Sequence, residues 1–162
     1  VEAAFKYVTI NLIASSIFLT ALGLLYGVAG TLNMADLARL GPTTRTPGVD
    51  MVLAVLFMIA FSIKAGLFPL FFWLPASYHT PPAAVGALFA GLLTKVGVYA
   101  LMRIFTLLFQ SAPPPLFTLL LVMSVATMVI GLVAAMNERD FRRILSFNLV
   151  GHIGSTIVGL PL

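Results

Sequence analysis

Long apolar runs separated by short polar stretches are the main pattern along this chain. A helix needs roughly 20 apolar residues to cross the hydrocarbon core of a bilayer. Because an isolated strand in lipid would leave its backbone polar groups unpaired, apolar runs of this length predict helices. The pattern therefore predicts an all-α, polytopic transmembrane helical bundle. Five runs reach the required length, at residues 5–29, 49–72, 83–109, 116–136 and 144–162.

The connections between the runs carry helix breakers and many of the charged residues. In chain order they read NMADLARLGPTTRTPGVD, LPASYHTPP, QSAPPP and NERDFRR. Clusters of proline, glycine and small polar residues of this kind end helices. The first residue is not methionine, and the last run ends without a polar tail. We therefore expect residues 1–162 to be the central part of a longer membrane domain.

The second run contains its own helix breaker, in the stretch FSIKAGLFPL. Pro69 has no amide hydrogen, and its ring clashes with the carbonyl of Ala65 in a continuous helix. Gly66 eases the bend. The sequence thus predicts a broken helix between Lys64 and Pro69. Irregular backbone at membrane depth is tolerated where it lines a cavity or is buried in protein, as at the ion sites of transporters.

Composition and charge narrow the class of function. Hydrophobic residues make up 60% of the chain and charged residues 9%, and the formal net charge is +4. Most of the charges lie outside the apolar runs, which argues against nucleic acid as a partner. There is no cysteine, and there is no phosphate-binding glycine loop, HExxH motif or nucleophile elbow. We expect a membrane protein that is not an enzyme and that uses no cofactor or metal.

Two lysines inside the apolar runs are the main candidates for function. Lys64 lies deep in the second run, and Lys95 lies near the centre of the third. A charged lysine at the centre of a membrane helix costs about 2.5–3.5 kcal/mol. Burial penalises the charged form of a lysine, so its charged and neutral forms become closer in free energy. A group in that condition can accept and release a proton, which makes both lysines candidates for a proton relay.

Two histidines extend this hypothesis. His152, in the fifth run, is the third titratable residue at membrane depth, and imidazole exchanges protons near neutral pH. A hydrogen-bonded packing histidine is an equally good explanation for it. His79 lies in the loop LPASYHTPP, where it is either a solvated loop residue or a group through which protons enter.

The lysines also have a structural alternative, in which each is a permanent cation paired with a carboxylate or with backbone carbonyls. All five acidic residues lie in loops or near the ends of the runs, so a carboxylate partner would have to come from outside this sequence. They are Glu2, Asp36, Asp50, Glu138 and Asp140. Within the sequence, we expect the hydroxyl groups of Ser62, Thr94 and Tyr99 to lie near the amines.

Residues 61–103 read FSIKAGLFPLFFWLPASYHTPPAAVGALFAGLLTKVGVYALMR. The specific features are a lysine before a proline, WLP, an HxPP turn and a second lysine before GxY. This stretch resembles the central signature of the proton-translocating antiporter family, which Mrp-type multisubunit Na+/H+ antiporters share with respiratory complex I. The later stretch NERDFRRILSFNLVGHIGSTIVGL resembles the family's arginine-rich turn and the helix after it. Details such as FFWLPASYHTPP are most similar to the Mrp branch.

The resemblance implies a role for each candidate residue. Lys64 would be the lysine of the broken helix, which in the family pairs with a glutamate on an earlier helix. Lys95 would be the central relay lysine, and His152 would continue the proton path. The glutamate and the second half of the channel would lie outside this sequence.

The expected function is that of a proton-translocating subunit of a multisubunit cation (Na+)/proton antiporter. The implied partners are the other subunits of a hetero-oligomeric membrane complex, protons, Na+ as the candidate cation, and the lipid bilayer. The implied location is the bacterial plasma membrane, as a multi-pass protein. One alternative is an antiporter-like, proton-pumping subunit of complex I or of a membrane-bound hydrogenase. An alternative of another class is a membrane scaffold subunit whose lysines are inert.

Overall fold

The computed structural model describes residues 2–40, 47–78, 81–109 and 113–160, and no strand occurs in these ranges. The predicted all-α bundle with a broken helix is confirmed. In chain order the helices are α1 (Glu2–Ala29), α2 (Met34–Leu40), α3 (Pro47–Ala65), α4 (Trp73–Tyr78), α5 (Ala83–Leu88), the π-helical segment Phe89–Leu93, α6 (Thr94–Leu107), α7 (Pro114–Asn137) and α8 (Phe141–Val158).

Four helical stretches in the described part of the chain are long and apolar enough to cross a membrane. They are Ala4–Ala29, Gly48–Ala65, Ala84–Leu107 and Pro114–Asn137. Large apolar side chains such as Leu12, Leu92 and Val122 point outward from them, at 63%, 60% and 59% exposure. Helices in lipid or against other subunits typically have such surfaces. Helix α8 matches the fifth predicted run but is not among the four, so its passage through the membrane stays a prediction.

The structure differs most clearly from the predicted elements at the end of the second run and in the first connection. Hydropathy extends the second run to residue 72, whereas α3 ends at Ala65. The hydropathy of a run does not depend on where its backbone bends, so it cannot show where the helix ends. Helix α2 lies in a stretch that the sequence assigns to a loop. The amide of Ala35 donates to Asn33 Oδ1 across 3.1 Å, and Asp36 lies in the first turn. Both features stabilise the start of a helix.

The helices pack in two groups. Helix α3 packs against α1 and α6, and these three helices form the first group. Leu53, Phe57 and Leu101 are buried in it. Helices α7 and α8 form a tight antiparallel pair: a Cβ atom on Gly154 would lie only 2.5 Å from the amide nitrogen of Met128. The short helix α4 and the longer helix α6 each contact α8, so they connect the two groups.

Candidate functional site

The backbone changes direction directly after Lys64. Helix α3 ends at Ala65, and Gly66 has a φ angle of +77°, which glycine adopts far more readily than residues with a Cβ atom. A Cβ atom on Gly66 would also lie 2.8 Å from Leu74 Cδ1. The Phe68–Pro69 peptide bond is cis. The broken helix predicted between Lys64 and Pro69 is confirmed.

Side chains from α4 and α7 provide partners for backbone groups at the break. The indole nitrogen of Trp73 donates to the carbonyl of Ile63 across 3.0 Å. The amide of Phe68 donates to Thr127 Oγ1 across 2.8 Å, and the Thr127 hydroxyl donates to the carbonyl of Met123 across 2.6 Å. An unsatisfied backbone group at membrane depth costs several kcal/mol, so these bonds stabilise the break within the bundle.

Lys64 lies in the last turn of α3, and its side chain is half-buried. Its Nζ atom donates a hydrogen bond to Ser15 Oγ of α1 across 3.3 Å. The end of a helix carries a partial negative charge from its free carbonyls, which favours a cation there. In the described ranges no carboxylate pairs with Lys64. A hydroxyl group and a helix end, rather than an acid, therefore form the described environment of this amine.

Helix α6 crosses α3 at the level of Lys64. A Cβ atom on Gly97 would lie 2.8 Å from the amide nitrogen of Ala65 and 2.9 Å from the carbonyl carbon of Lys64. These distances are shorter than the van der Waals contacts that a Cβ atom makes in proteins, so only glycine lets the two backbones approach this closely. The contact places the turn of α6 that carries Lys95 next to the end of α3 that carries Lys64.

Lys95 is the second residue of α6, and only Thr94 separates it from the π-helical segment. Its side chain is exposed, as are those of its neighbours Val96 and Tyr99, each at 64%. The described residues leave this face of α6 uncovered. The burial that the sequence predicts for Lys95 is therefore not provided by this part of the chain.

His152 lies on α8, on a face different from that of Gly154, which packs against α7. The imidazole is exposed and lines a cleft of about 380 Å³ between α5 and α8. Tyr78, Ala90 and Asn148 also line this cleft. His152 thus faces the helix that leads to Lys95, but Lys95 itself is not part of the cleft lining.

The three relay candidates do not contact one another. No hydrogen bond or ion pair joins any two of Lys64, Lys95 and His152 in the described part of the chain. His79 lies outside the described residues. Those residues also contain no group of three or more His, Asp or Glu side chains that could hold a metal ion.

The hydroxyl groups expected near the amines have other surroundings. Ser62 is fully buried, and its Oγ atom has no hydrogen-bond partner among the described residues. Thr94 donates to the carbonyl of Ala90 across 3.4 Å. Tyr99 points outward. The hydroxyl that reaches Lys64 is Ser15, which the sequence did not single out.

Two further residues at the site were also missed from sequence. Thr127 supports the break from α7, and Tyr78 donates a hydrogen bond to the carbonyl of Phe89 across 3.2 Å. Thr127 and Ser15 lie in apolar helices in which a lone hydroxyl is common. The sequence gives one indication that Tyr78 matters, which is its position next to the HxPP turn. Its contact with Phe89 could not be predicted, because that contact depends on how α4 packs.

Comparison with known proteins agrees with the fold and with the motifs. Residues 1–162 match the protein family described as NADH:quinone oxidoreductase/Mrp antiporter, TM. Over 158 residues the chain is 49% identical to a D-type Na(+)/H(+) antiporter subunit of Alkalihalophilus pseudofirmus, and this match covers 97% of the chain and 32% of the relative.

Two solved structures are similar over almost the whole chain. The first is the Mrp complex from Dietzia sp. DQ12-45-1b, with 36% identity, a TM-score of 0.89, and coverage of 99% of this chain and 29% of that chain. The second is the membrane-bound sulfane sulfur reductase, an archaeal respiratory membrane complex, with 33% identity, a TM-score of 0.90, and coverage of 99% and 33%. The present chain thus spans about a third of the length of the proteins it matches.

Proposed function

The chain belongs to the family of transmembrane proteins shared by NADH:quinone oxidoreductase and Mrp antiporters, and we propose that it is the proton-translocating core of a D-type subunit of an Mrp Na+/H+ antiporter. The subunit acts as a transporter component in the bacterial plasma membrane, with other antiporter subunits as partners. The relative named as a Na(+)/H(+) antiporter subunit has higher identity to this chain than the respiratory complex has, and this supports the Mrp assignment. In this proposal α8 is a fifth membrane span.

The observation that carries the proposal is the environment of Lys64. Its amine lies half-buried at the end of a broken transmembrane helix, and its partner is the neutral hydroxyl of Ser15. The hydroxyl holds the amine in place without adding a charge of its own. In this proposal the charged partner of Lys64 is the glutamate that the family resemblance implies outside this sequence, and a change in the charge of that glutamate biases the protonation of Lys64.

The contact at Gly97 supports coupling between the two lysines. Packed helices lie about 8–10 Å apart, and two unit charges about 10 Å apart interact by about 1.7 kcal/mol at an effective dielectric constant of ~20. That energy changes a protonation equilibrium more than tenfold. A change in charge on Lys64 thus biases Lys95, and the proton moves from α3 to α6 through water and hydroxyl groups.

His152 extends the path beyond Lys95 in this proposal. Its imidazole lines the cleft beside the π-helical segment that precedes Lys95, and imidazole accepts and donates protons near neutral pH. His79, in the sequence LPASYHTPP, is the proposed group through which protons enter. Na+ is the proposed exchanged cation of the whole complex.

A respiratory subunit is the second candidate. The similarity to a chain of the archaeal respiratory membrane complex favours this candidate, because its TM-score of 0.90 is almost the same as the 0.89 of the Mrp complex. The relay would be the same, but electron transfer in partner subunits would drive it. Co-purification separates the two candidates: antiporter subunits support the first, and redox subunits with their cofactors support the second.

A scaffold with inert lysines is the third candidate. The exposure of Lys95 and His152 in the described part favours it, since an exposed cation can lie against lipid headgroups or a partner subunit without ever changing its charge.

The experiment that tests the proposal uses the complete subunit assembled in its complex, in inside-out membrane vesicles. Na+-induced proton movement is measured for Lys64→Ala, Lys95→Ala and His152→Ala. Arg39→Ala, on short α2, is the control because it removes one positive charge that is not part of the proposed relay. The amount of assembled complex is measured for each variant.

The proposal predicts that Lys64→Ala and Lys95→Ala lose proton movement while the complex assembles at the normal level, and that Arg39→Ala keeps it. Normal exchange in both lysine variants would rule out the relay and leave the scaffold. Loss in His152→Ala would place the histidine on the path, and normal exchange there would limit the path to the two lysines.

A further inference from the structure

An aromatic cluster connects the neighbourhoods of the two lysines. Trp73 and Tyr78 of α4 lie 6.1 Å apart between ring centroids, and Tyr78 lies 6.0 Å from Phe89 of the π-helical segment. Tyr7 of α1 closes the cluster at 5.6 Å from Trp73 and 6.1 Å from Phe89. Trp73 also donates to the carbonyl of Ile63, the residue before Lys64. Short α4 therefore contacts the helix that carries Lys64 and the π-helical segment that precedes the helix of Lys95.

The π-helical segment determines which way Lys95 faces. In an α-helix each residue turns the chain by about 100°, and a π-type turn accommodates one extra residue in the hydrogen-bonding pattern. If the segment became regular α-helix, or moved along the helix past Lys95, the amine would rotate by about 100° relative to α5. Gly97 holds the following turn of α6 against α3. Lys95 therefore lies between a turn that is fixed by packing and a segment whose hydrogen-bonding pattern can change.

Tyr78 contacts the first residue of this segment. Its hydroxyl donates to the carbonyl of Phe89 across 3.2 Å, and its ring lies 6.0 Å from the ring of Phe89. Tyr78 is only 8% exposed, so solvent offers no easy replacement for this hydrogen bond.

We propose that Tyr78 is a positioning residue that holds the Phe89–Leu93 segment in its π form and thereby sets the direction of the Lys95 amine. This inference rests on the proposed function, because a direction matters only if Lys95 exchanges protons. Tyr78 itself carries no proton in the relay. Movement at the break after Lys64 reaches Lys95 through α4, since the same short helix is bonded at Ile63 and at Phe89.

The test compares Tyr78→Phe with Tyr26→Phe in the complete, assembled complex. Both changes remove one hydroxyl, and Tyr78→Phe keeps the ring that packs on Trp73 and Phe89. Tyr26, at 57% exposure near the end of α1, is the matched control. Two readouts are needed. The first is amide hydrogen–deuterium exchange over residues 89–94, and the second is the maximal rate of Na+/H+ exchange together with its KM for Na+.

We expect Tyr78→Phe to speed amide exchange in this segment about fivefold, the factor that corresponds to one hydrogen bond of about 1 kcal/mol. We also expect it to lower the maximal rate with KM for Na+ unchanged, and we expect Tyr26→Phe to do neither. Unchanged amide exchange in Tyr78→Phe would overturn the inference, as would an unchanged maximal rate.

The outcomes for Tyr78 and for Lys95 are separable. If Lys95→Ala abolishes exchange while Tyr78→Phe behaves like Tyr26→Phe, the positioning role is wrong and the relay stands. If Lys95→Ala leaves exchange normal, the relay fails, and the amide-exchange result alone then reports whether Tyr78 holds the π segment.

Discussion

Gly97 of α6 packs directly on the backbone of Lys64. The hydrogen that glycine carries in place of a Cβ atom lets the two chains approach until a methyl carbon would lie 2.9 Å from the carbonyl carbon of Lys64. The broken helix and the helix of the second lysine therefore meet at the residue whose charge is proposed to change. Small residues have the same role in close helix contacts of many membrane proteins.

Gly97→Ala should separate α3 from α6 and cost about 1–3 kcal/mol, the range of overpacked cores. The expected result is a lower thermal stability of the purified complex, and a proton exchange rate that falls further than the amount of complex. Gly23→Ala, with nothing within 4 Å of its Cβ position, is the control and should change neither quantity. Wild-type stability in Gly97→Ala would show that the contact is looser than described.

Thr127→Val should destabilise the break without touching either lysine. The amide of Phe68 would lose its acceptor at 2.8 Å, and an unpaired, partly buried amide costs about 1–3 kcal/mol. Thermal unfolding of the complex in detergent measures the loss. The matched control on the same helix is Thr118→Val, whose exposed hydroxyl bonds only within its own helix, at Pro114. Equal stability in the two variants would contradict the proposed support of the break by α7.

Ser15→Ala should slow proton exchange while the complex still assembles. The change removes the hydroxyl that accepts from the Lys64 amine across 3.3 Å, so the amine loses its fixed position. The neighbouring Ser16 bonds only the carbonyl of Leu12 in its own helix, and Ser16→Ala should behave like wild type. Vesicle assays of the two single variants give a direct comparison, and the same rate in both would remove Ser15 from the site.

The sequence predicts those parts of the site that depend on local chemistry. Lys64, Gly66 and Pro69 lie within six residues, and the geometry of proline alone requires a break close to where α3 ends. The family motif around these residues is continuous in sequence, which is why it can be found without a structure.

Features that depend on packing between distant segments were not predictable. Ser15 lies 49 residues from Lys64 in sequence, and nothing local distinguishes it from Ser16. The π-helical segment also has no signal of its own, and the hydrogen bond that its first residue accepts comes from Tyr78 of another helix. Hydropathy predicts burial for Lys95, but it does not report which helices cover that face of α6, and among the described residues the side chain is exposed.

In the proposed relay Lys64 and Lys95 must each release a proton, so a change to arginine tests the relay. Arginine keeps the positive charge, but it cannot be deprotonated in proteins. Proton translocation should be measured in liposomes that contain the complete complex with Lys64→Arg or Lys95→Arg, at equal amounts of assembled complex. The relay predicts that both variants assemble and lose translocation, whereas wild-type translocation in both would show that only a fixed positive charge is needed.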